Sequence, residues 1–419
     1  MKLIKTLTAS SLLAITTLAS AQVTWLPTDS NDLRSQALTE NTRSLPASLH
    51  QEQAPVSLAW SANQASQRGL YAYRSNSSAP APGPSASSQG YWVDVSGAEL
   101  AQGVDLPLSA PGAVIRISAL ENGTELQLDP QTLVMTIDGR PVSASSGLQE
   151  FATGARMRSQ GMPVPSDSLA FQLGRGSSAG LMRIQHAGLP SDQNLVIHVH
   201  EPNSEWVAEL TLPRANLLSG EALAFDLQIG DARQSLQTRS VQAVLISPDA
   251  SETWSLNQPR QGQLALNEAP MASRAAAGSG LYEARVYVEA EVNGITVRRD
   301  LSLALNIAPA IARFTGQVGL ERSAGVVMDL GVETAAAGRY QVNAQLMGTN
   351  KEGQMQAIAV VQSAAVLDAG FGTIELAIDE NLINSSGLSA PFEVHDLMLL
   401  DQGRMTLQEH RAKALRIAR

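Results

Sequence analysis

Tyr282-Glu283-Ala284-Arg285-Val286-Tyr287-Val288-Glu289-Ala290-Glu291-Val292-Asn293-Gly294-Ile295-Thr296-Val297-Arg298-Arg299 is the most regular stretch of the chain. Tyr282, Ala284, Val286, Val288, Ala290 and Val292 fall on one face of an extended strand, with Glu283, Arg285, Tyr287, Glu289 and Glu291 on the other. Asn293-Gly294 suits a two-residue hairpin turn, where both positions take positive φ. Ile295, Val297 and Arg299 lead back, and Leu301, Leu303, Leu305 and Ile307 continue towards Pro309. One covered face and one wet face are what an antiparallel sandwich strand needs.

The same period of two recurs outward from this hairpin. It runs through 114–120, 133–137, 169–173, 181–184, 195–200, 223–229 and 241–247, broken by Gly, Ser and Pro. Asp138-Gly139, followed by Val142, predicts a second tight hairpin. Gly338-Arg339-Tyr340 with Val342, Ala344 and Leu346, and a turn over Asn350 to Gly353, echo the 280–294 pattern. Some 65 residues follow that turn, which predicts a variant topology, with further strands over 358–365, 373–378 and 392–400.

The chain has 419 residues, 44% apolar, 16% charged, with no cysteine and a net charge of −10. This length holds several domains with cores of their own. The missing cysteines exclude disulfides, thiolate metal sites and a cysteine nucleophile. The acidic balance argues against a general nucleic-acid binder.

Lys2 and Lys5, an apolar run over 7–18, and Ala19-Ser20-Ala21 form the charged start, core and small-x-small site of a secretory leader. Cleavage after Ala21 is expected. It removes two lysines and takes the net charge from −10 to −12. No cysteine follows to carry a lipid, and no later run is long and apolar enough for a transmembrane helix. The expected destination is the periplasm or the outside of the cell.

The chain then divides into an irregular segment and Pro/Ser-rich linker over 22–90, a β-rich domain over 91–205, a sandwich over 206–310 and a second, variant sandwich over 311–419. The linker ends in Ser75-Asn76-Ser77-Ser78-Ala79-Pro80-Ala81-Pro82-Gly83-Pro84-Ser85, a composition that cannot bury a core and predicts low order. The fold class is all-β: tandem β-sandwich, immunoglobulin-like domains after a disordered N-terminal segment.

Gly280-Leu281-Tyr282 at a strand start, before a hairpin and a final strand, resembles the tyrosine corner of immunoglobulin-like domains. That resemblance implies that the Tyr282 phenol bonds back to the main chain. Tyr91-Trp92-Val93-Asp94-Val95-Ser96-Gly97-Ala98-Glu99-Leu100 and Ser386-Gly387-Leu388-Ser389-Ala390-Pro391-Phe392-Glu393-Val394 are similar to segments of a secreted, functionally uncharacterised gammaproteobacterial family. It joins an N-terminal β-rich domain to a C-terminal immunoglobulin-like region. The resemblance implies fold and location and brings no catalytic residues.

Gly176-Ser177-Ser178-Ala179-Gly180 matches the G-x-S-x-G nucleophile elbow, which would make Ser178 a nucleophile. That chemistry needs a strand-to-helix turn, whereas the flanking β runs predict a hairpin loop. His198 and His200 share a strand face two residues apart, so both imidazoles could reach one zinc or copper ion, with His186 as third ligand. The alternation of Leu195, Ile197 and Val199 with these histidines equally predicts a plain wet face. No calcium loop, phosphate loop or dinucleotide fingerprint is present, and no cofactor is implied. Arg404, Arg411, Lys413, Arg416 and Arg419 could meet an anionic surface, or form a strand edge and solvated tail. The five tryptophans are expected to be packed.

Three functions fit these features. The first is a non-catalytic envelope or extracellular binding protein whose partner is a protein or glycan. The second is a hydrolase of an extracellular polymer, which a concave site with convergent carboxylates, or Ser178 near a histidine, would favour. The third is a structural spacer or secreted assembly factor.

Overall fold

In a computed structural model the described residues are 23–29, 32–35, 37–39, 56–67, 83–120, 128, 132–142, 147–162, 164, 168–174, 176–214, 216–270, 280–322 and 325–418. The expected leader at 1–21 and the core of the Pro/Ser-rich run, 75–82, lie outside them. The chain is nearly all β, in tandem sandwiches, and among the described residues its helices have only six or seven residues. Among the described residues no helix is long and apolar enough to cross a membrane. The chain forms two compact units, one of 35–39 and 79–310, the other of 1–34, 40–78 and 311–419.

The 79–310 unit contains two sandwiches. In the first, a five-stranded sheet runs Leu148–Thr153, Leu169–Leu173, Val114–Ala119, Asn194–His200, Gly90–Ser96. A four-stranded sheet runs Val104–Leu108, Gly180–Gln185, Val134–Ile137, Arg140–Pro141. Every second residue enters the shared core, so Ile115, Ile117, Leu195, Ile197 and Val199 join Leu106, Met182 and Ile184 in one buried cluster. In the second sandwich, Tyr282–Val292 and Ile295–Leu305 form the hairpin expected of them, with strict pairing from Tyr282↔Leu305 to Val292↔Ile295. Asn293 and Gly294 take φ of 49° and 78°, and Asp138 and Gly139 of the other hairpin take 47° and 75°.

The tyrosine corner lies elsewhere than its motif suggests. Tyr282 is buried against Trp254, 6.1 Å between ring centroids, but its hydroxyl has no hydrogen-bond partner among the described residues. Tyr340 instead donates its hydroxyl to the Ala336 carbonyl four residues upstream, at 2.6 Å.

In the other unit a seven-stranded sheet runs Val23–Trp25, Thr406–Ile417, Ser389–Asp401, Gly338–Thr349, Met355–Leu367, Val56–Ser61, with Leu33–Arg34 also on Thr406–Ile417. A three-stranded sheet of Ala312–Glu321, Gly325–Thr334 and Gly370–Asp379 completes the core.

This organisation corrects two expectations. The 22–90 segment is not merely irregular: Val23–Trp25, Leu33–Arg34 and Val56–Ser61 are strands of the C-terminal sandwich. Ser85–Ser88 is an edge strand on Val207–Thr211. Such strands borrow their partners and core from distant sequence, so their own composition stays linker-like. Of the C-terminal basic run, Arg411, Lys413 and Arg416 lie on neither a tail nor an edge, because Thr406–Ile417 lies inside the sheet, and Arg419 lies outside the described residues. Arg411 is buried, pairs with Glu409 at 2.9 Å and lies 4.5 Å over the Trp25 ring, and Arg416 pairs with Glu393 at 2.6 Å.

Trp25 packs on Phe314, 5.9 Å between centroids, at the rim of this core. Trp25→Ala is expected to lower the stability of this unit by about 2–3 kcal/mol, through lost burial and the lost cation–π contact. A urea melt followed by tryptophan-independent far-UV dichroism would show a lower midpoint at unchanged slope. A loss below about 0.5 kcal/mol would mean that the strand is an appendage.

Candidate functional site

The chain enters the 79–310 unit as one extended path. Ser85–Ser88 pairs in the second sandwich, and after Gln89 the strand Gly90–Ser96 pairs in the first. Gly90 is required at this crossing, since a Cβ there would sit 2.6 Å from the Val199 carbonyl oxygen. Across from it, Val297 and Leu301 of Ile295–Leu305 face the core, and the register places a charge, Arg299, between them on that same face.

Arg299 and Glu201 are both fully buried, with Nη1 of the arginine 2.6 Å from Oε2 of the glutamate. All five guanidinium N–H groups find acceptors. Nε donates to the Trp206 carbonyl at 3.0 Å, and Nη1 donates to Glu201 and to the Arg298 carbonyl, both at 2.6 Å. Nη2 donates to the hydroxyls of Ser109 at 2.9 Å and Ser204 at 2.8 Å. Glu201 accepts further bonds from the Ser109 and Ala110 amides, at 2.5 and 3.0 Å, and from the Ser109 hydroxyl at 2.8 Å. Glu201 and Ser109 belong to the first sandwich or its exit, and Arg299 to the second. The network is therefore a bolt between them.

Beside the bolt lies a cleft of about 320 Å³, lined by Trp92, Asp94, Gln242, Tyr287, Arg298 and Asp300, among others. Trp92 meets Tyr287 edge to face, 5.5 Å between centroids at 75°. The Trp92 amide, on the open edge of its sheet, donates to Asp300 Oδ2 at 2.8 Å. Burial pushes the Asp300 carboxyl up to about 7; the Trp92 amide, Arg298 and Arg299 oppose the shift and Glu289 adds to it. Arg298 donates twice to Glu289 Oε1, at 2.8 and 2.5 Å, and its guanidinium carbon lies 5.4 Å from the centre of the Tyr91 ring.

None of the candidate catalytic or metal residues, Ser178, His186, His198 and His200, lines this cleft. Ser178 is exposed, in a connection that crosses from Leu169–Leu173 in one sheet to Gly180–Gln185 in the other, so the loop is not the hairpin its flanks predict. A strand precedes and follows it, without the helix a nucleophile elbow needs. His198 and His200 share the outward face of Asn194–His200, whereas His186 is buried after Gly180–Gln185 of the opposite sheet. Among the described residues no group of three or more His, Asp or Glu side chains could hold a metal ion. His198 lies against Trp92 instead, 6.2 Å between rings. Burial, aided by the charge of Arg116 and opposed by that of Asp94, lowers its pKa to about 4.

Arg299 has one visible signal, a charge in register with Val297 and Leu301, whereas Asp300 falls on the polar face, where a carboxylate fits the alternation.

Glu201→Ala is expected to destabilise the 79–310 unit by about 3–5 kcal/mol, because it strands a buried guanidinium. A Glu201→Leu, Arg299→Met double variant should return to within about 1–2 kcal/mol of wild type. Calorimetry of wild type, Glu201→Leu, Arg299→Met and this double variant closes the cycle, and additive losses would deny the coupling. Asp300 holds its proton more tightly folded than unfolded, so its contribution to stability falls as pH rises from about 4 to about 7. Asp300→Asn, which keeps an acceptor for the Trp92 amide, should remove this slope and melt above wild type near pH 8. Equal melting curves across that range would place the carboxyl at an ordinary value.

The models of the Domain of unknown function (DUF4785) N-terminal and C-terminal domains match residues 47–201 and 311–418, together more than half of the chain. The chain is similar to a DUF4785 family protein from Legionella pneumophila, solved by crystallography, at 17% identity with a TM-score of 0.63. The alignment covers 91% of this chain and 98% of that one, and it shows a shared fold. A Salmonella alpha-2-macroglobulin variant aligns at 12% identity over 78% of this chain and 23% of its own, with a TM-score of 0.16, too low to carry an argument. No curated protein matches. With both terminal domains in place and a relative of the same organisation, the chain belongs to the uncharacterised DUF4785 family.

Proposed function

We propose that this chain is an exported envelope or extracellular binding protein that takes a glycan in the Trp92–Tyr287–Asp300 cleft. The observation that carries the reading is the cleft's make-up. Two aromatic rings meet at an edge, and Asp94, Glu289, Asp300, Gln242 and Ser240 surround them. Aromatic faces pack on the apolar faces of sugar rings, and carboxylates and amides bond their hydroxyls. The bolt at Arg299 holds these groups in place before any ligand arrives, which limits the ordering cost of binding. Export rests on Lys2, Lys5, the apolar run and Ala19-Ser20-Ala21.

A second reading, a hydrolase of an extracellular polymer, is favoured by one observation. Asp300, with a pKa of about 7, lies in a cleft with Asp94 and Glu289, and a carboxyl that keeps its proton near neutrality can act as a general acid. The spacer or assembly-factor reading draws on the bolt but leaves the cleft without a role.

The protein recovered from the periplasm or medium, beginning at Gln22, is the material to test against neutral and acidic oligosaccharides by calorimetry. Wild type should bind a saccharide, and Trp92→Ala should weaken it by about tenfold or more. A Trp92→Ala variant that binds as well as wild type would remove the cleft from the function. Turnover of a glycan that Asp300→Asn abolishes would establish the hydrolase instead.

A further inference from the structure

The outer face of the five-stranded sheet carries a cation that pairs with no described residue. Leu195, Ile197 and Val199 take the core, so His198 faces outward, and the pairing places Trp92 opposite it on one side and Arg116 on the other. One strand further, Arg116 faces Ala170, and Ala170 faces Ala152. Indole, imidazole, guanidinium and two methyl groups thus form a single row across the strands. All five residues are half-buried. With strands about 4.8 Å apart the row spans roughly 19 Å, the length of a few sugar units, and the two alanines leave room beside the guanidinium.

Arg116 makes no hydrogen bond or ion pair with any described residue, and its Nε is buried without an acceptor. Arg183, Arg285, Arg298, Arg299, Arg313, Arg411 and Arg416 all reach a carboxylate. An arginine that is partly desolvated and unanswered costs stability, and its planar fork matches a carboxylate in two parallel bonds. His198, neutral at physiological pH, offers an N–H beside it without adding charge. The indole at the end of the row also lines the cleft described above.

We propose that Trp92, His198 and Arg116 form a subsite for a carboxylate-bearing sugar, so that the glycan taken by this protein is acidic. The carboxylate sits on the Arg116 guanidinium, with a bond from His198, and the sugar chain passes over Trp92 into the cleft. This inference rests on the binding reading above and names its ligand class. An acidic peptide would also answer Arg116, but it would leave the indole and the hydroxyl acceptors of the cleft unused.

The test is calorimetry of the mature protein with trigalacturonate, with maltotriose as a neutral trisaccharide and with triglutamate as an acidic peptide. Trigalacturonate is expected to bind, and Arg116→Gln to weaken it by about tenfold or more. Trp92→Ala should weaken it too. Since Arg116 holds no partner, Arg116→Gln should melt no lower than wild type, and a markedly lower melting temperature would make it a structural residue and overturn the proposal. Maltotriose binding that needs Trp92 while Arg116→Gln changes nothing would overturn the acidic subsite and keep the glycan-binding cleft. Binding of triglutamate alone, lost in Arg116→Gln, would overturn it in favour of a peptide ligand. No binding of any of the three would overturn both readings.

Discussion

The buried pair of Arg299 and Glu201 is the constraint from which the site follows. Two charges removed from water cost several kcal/mol each unless every donor and acceptor is answered, and here the guanidinium's N–H groups all are. Such a pair adds little net stability against a packed apolar equivalent. What it contributes is registry, because only one placement of Ser109, Ser204 and the Trp206 carbonyl satisfies all the bonds together. A slip of one residue would bury an unanswered charge.

That registry passes directly to the cleft through the covalent chain. Arg298, Arg299 and Asp300 are consecutive on one strand. Arg298 points out to Glu289, Arg299 points in to the bolt, and Asp300 points out again to the Trp92 amide. Fixing the middle residue orients its two neighbours. The strand path from Ser85 to Ser96 adds a second tie, since it pairs in one sandwich and then in the other with only Gln89 between. Gln89 is held too, its side-chain amide on the Ser204 carbonyl at 2.8 Å and its own carbonyl accepting from the Glu201 amide at 2.9 Å.

Local pattern predicts what local pattern determines. The 282–305 hairpin is legible because alternation and an Asn-Gly turn state the strand, its buried face and its return within a short window. The N-terminal strands are not legible, since Val23–Trp25 and Val56–Ser61 find their partners some 300 to 390 residues away, at 406–417 and 355–367. Gly-x-Tyr opens both strands, so the neighbours in sequence do not distinguish Tyr282 from Tyr340; the hydrogen bond to the Ala336 carbonyl that marks Tyr340 belongs to the fold. The catalytic and metal motifs are a related case. Ser178 and the three histidines match spacings, whereas the cleft is assembled from Trp92, Tyr287 and Asp300, each unremarkable on its own strand.

An acidic ligand on an acidic protein is reconciled by distance. The net charge of −10 acts over the whole surface and is screened beyond about 8 Å at physiological salt, so affinity at the row depends on the charges within that radius. There Glu289 is neutralised by Arg298, and Asp300 carries only a partial charge near neutral pH because burial holds its proton. Asp94 remains exposed, and at His198 its charge acts against that of Arg116. The carboxylates that make the chain acidic overall are thus largely answered where the ligand would sit, and the guanidinium that is not answered by protein is left for the ligand. Long-range repulsion then selects against loosely held anions, and only one that also fits the indole and the cleft gains enough from contact to stay.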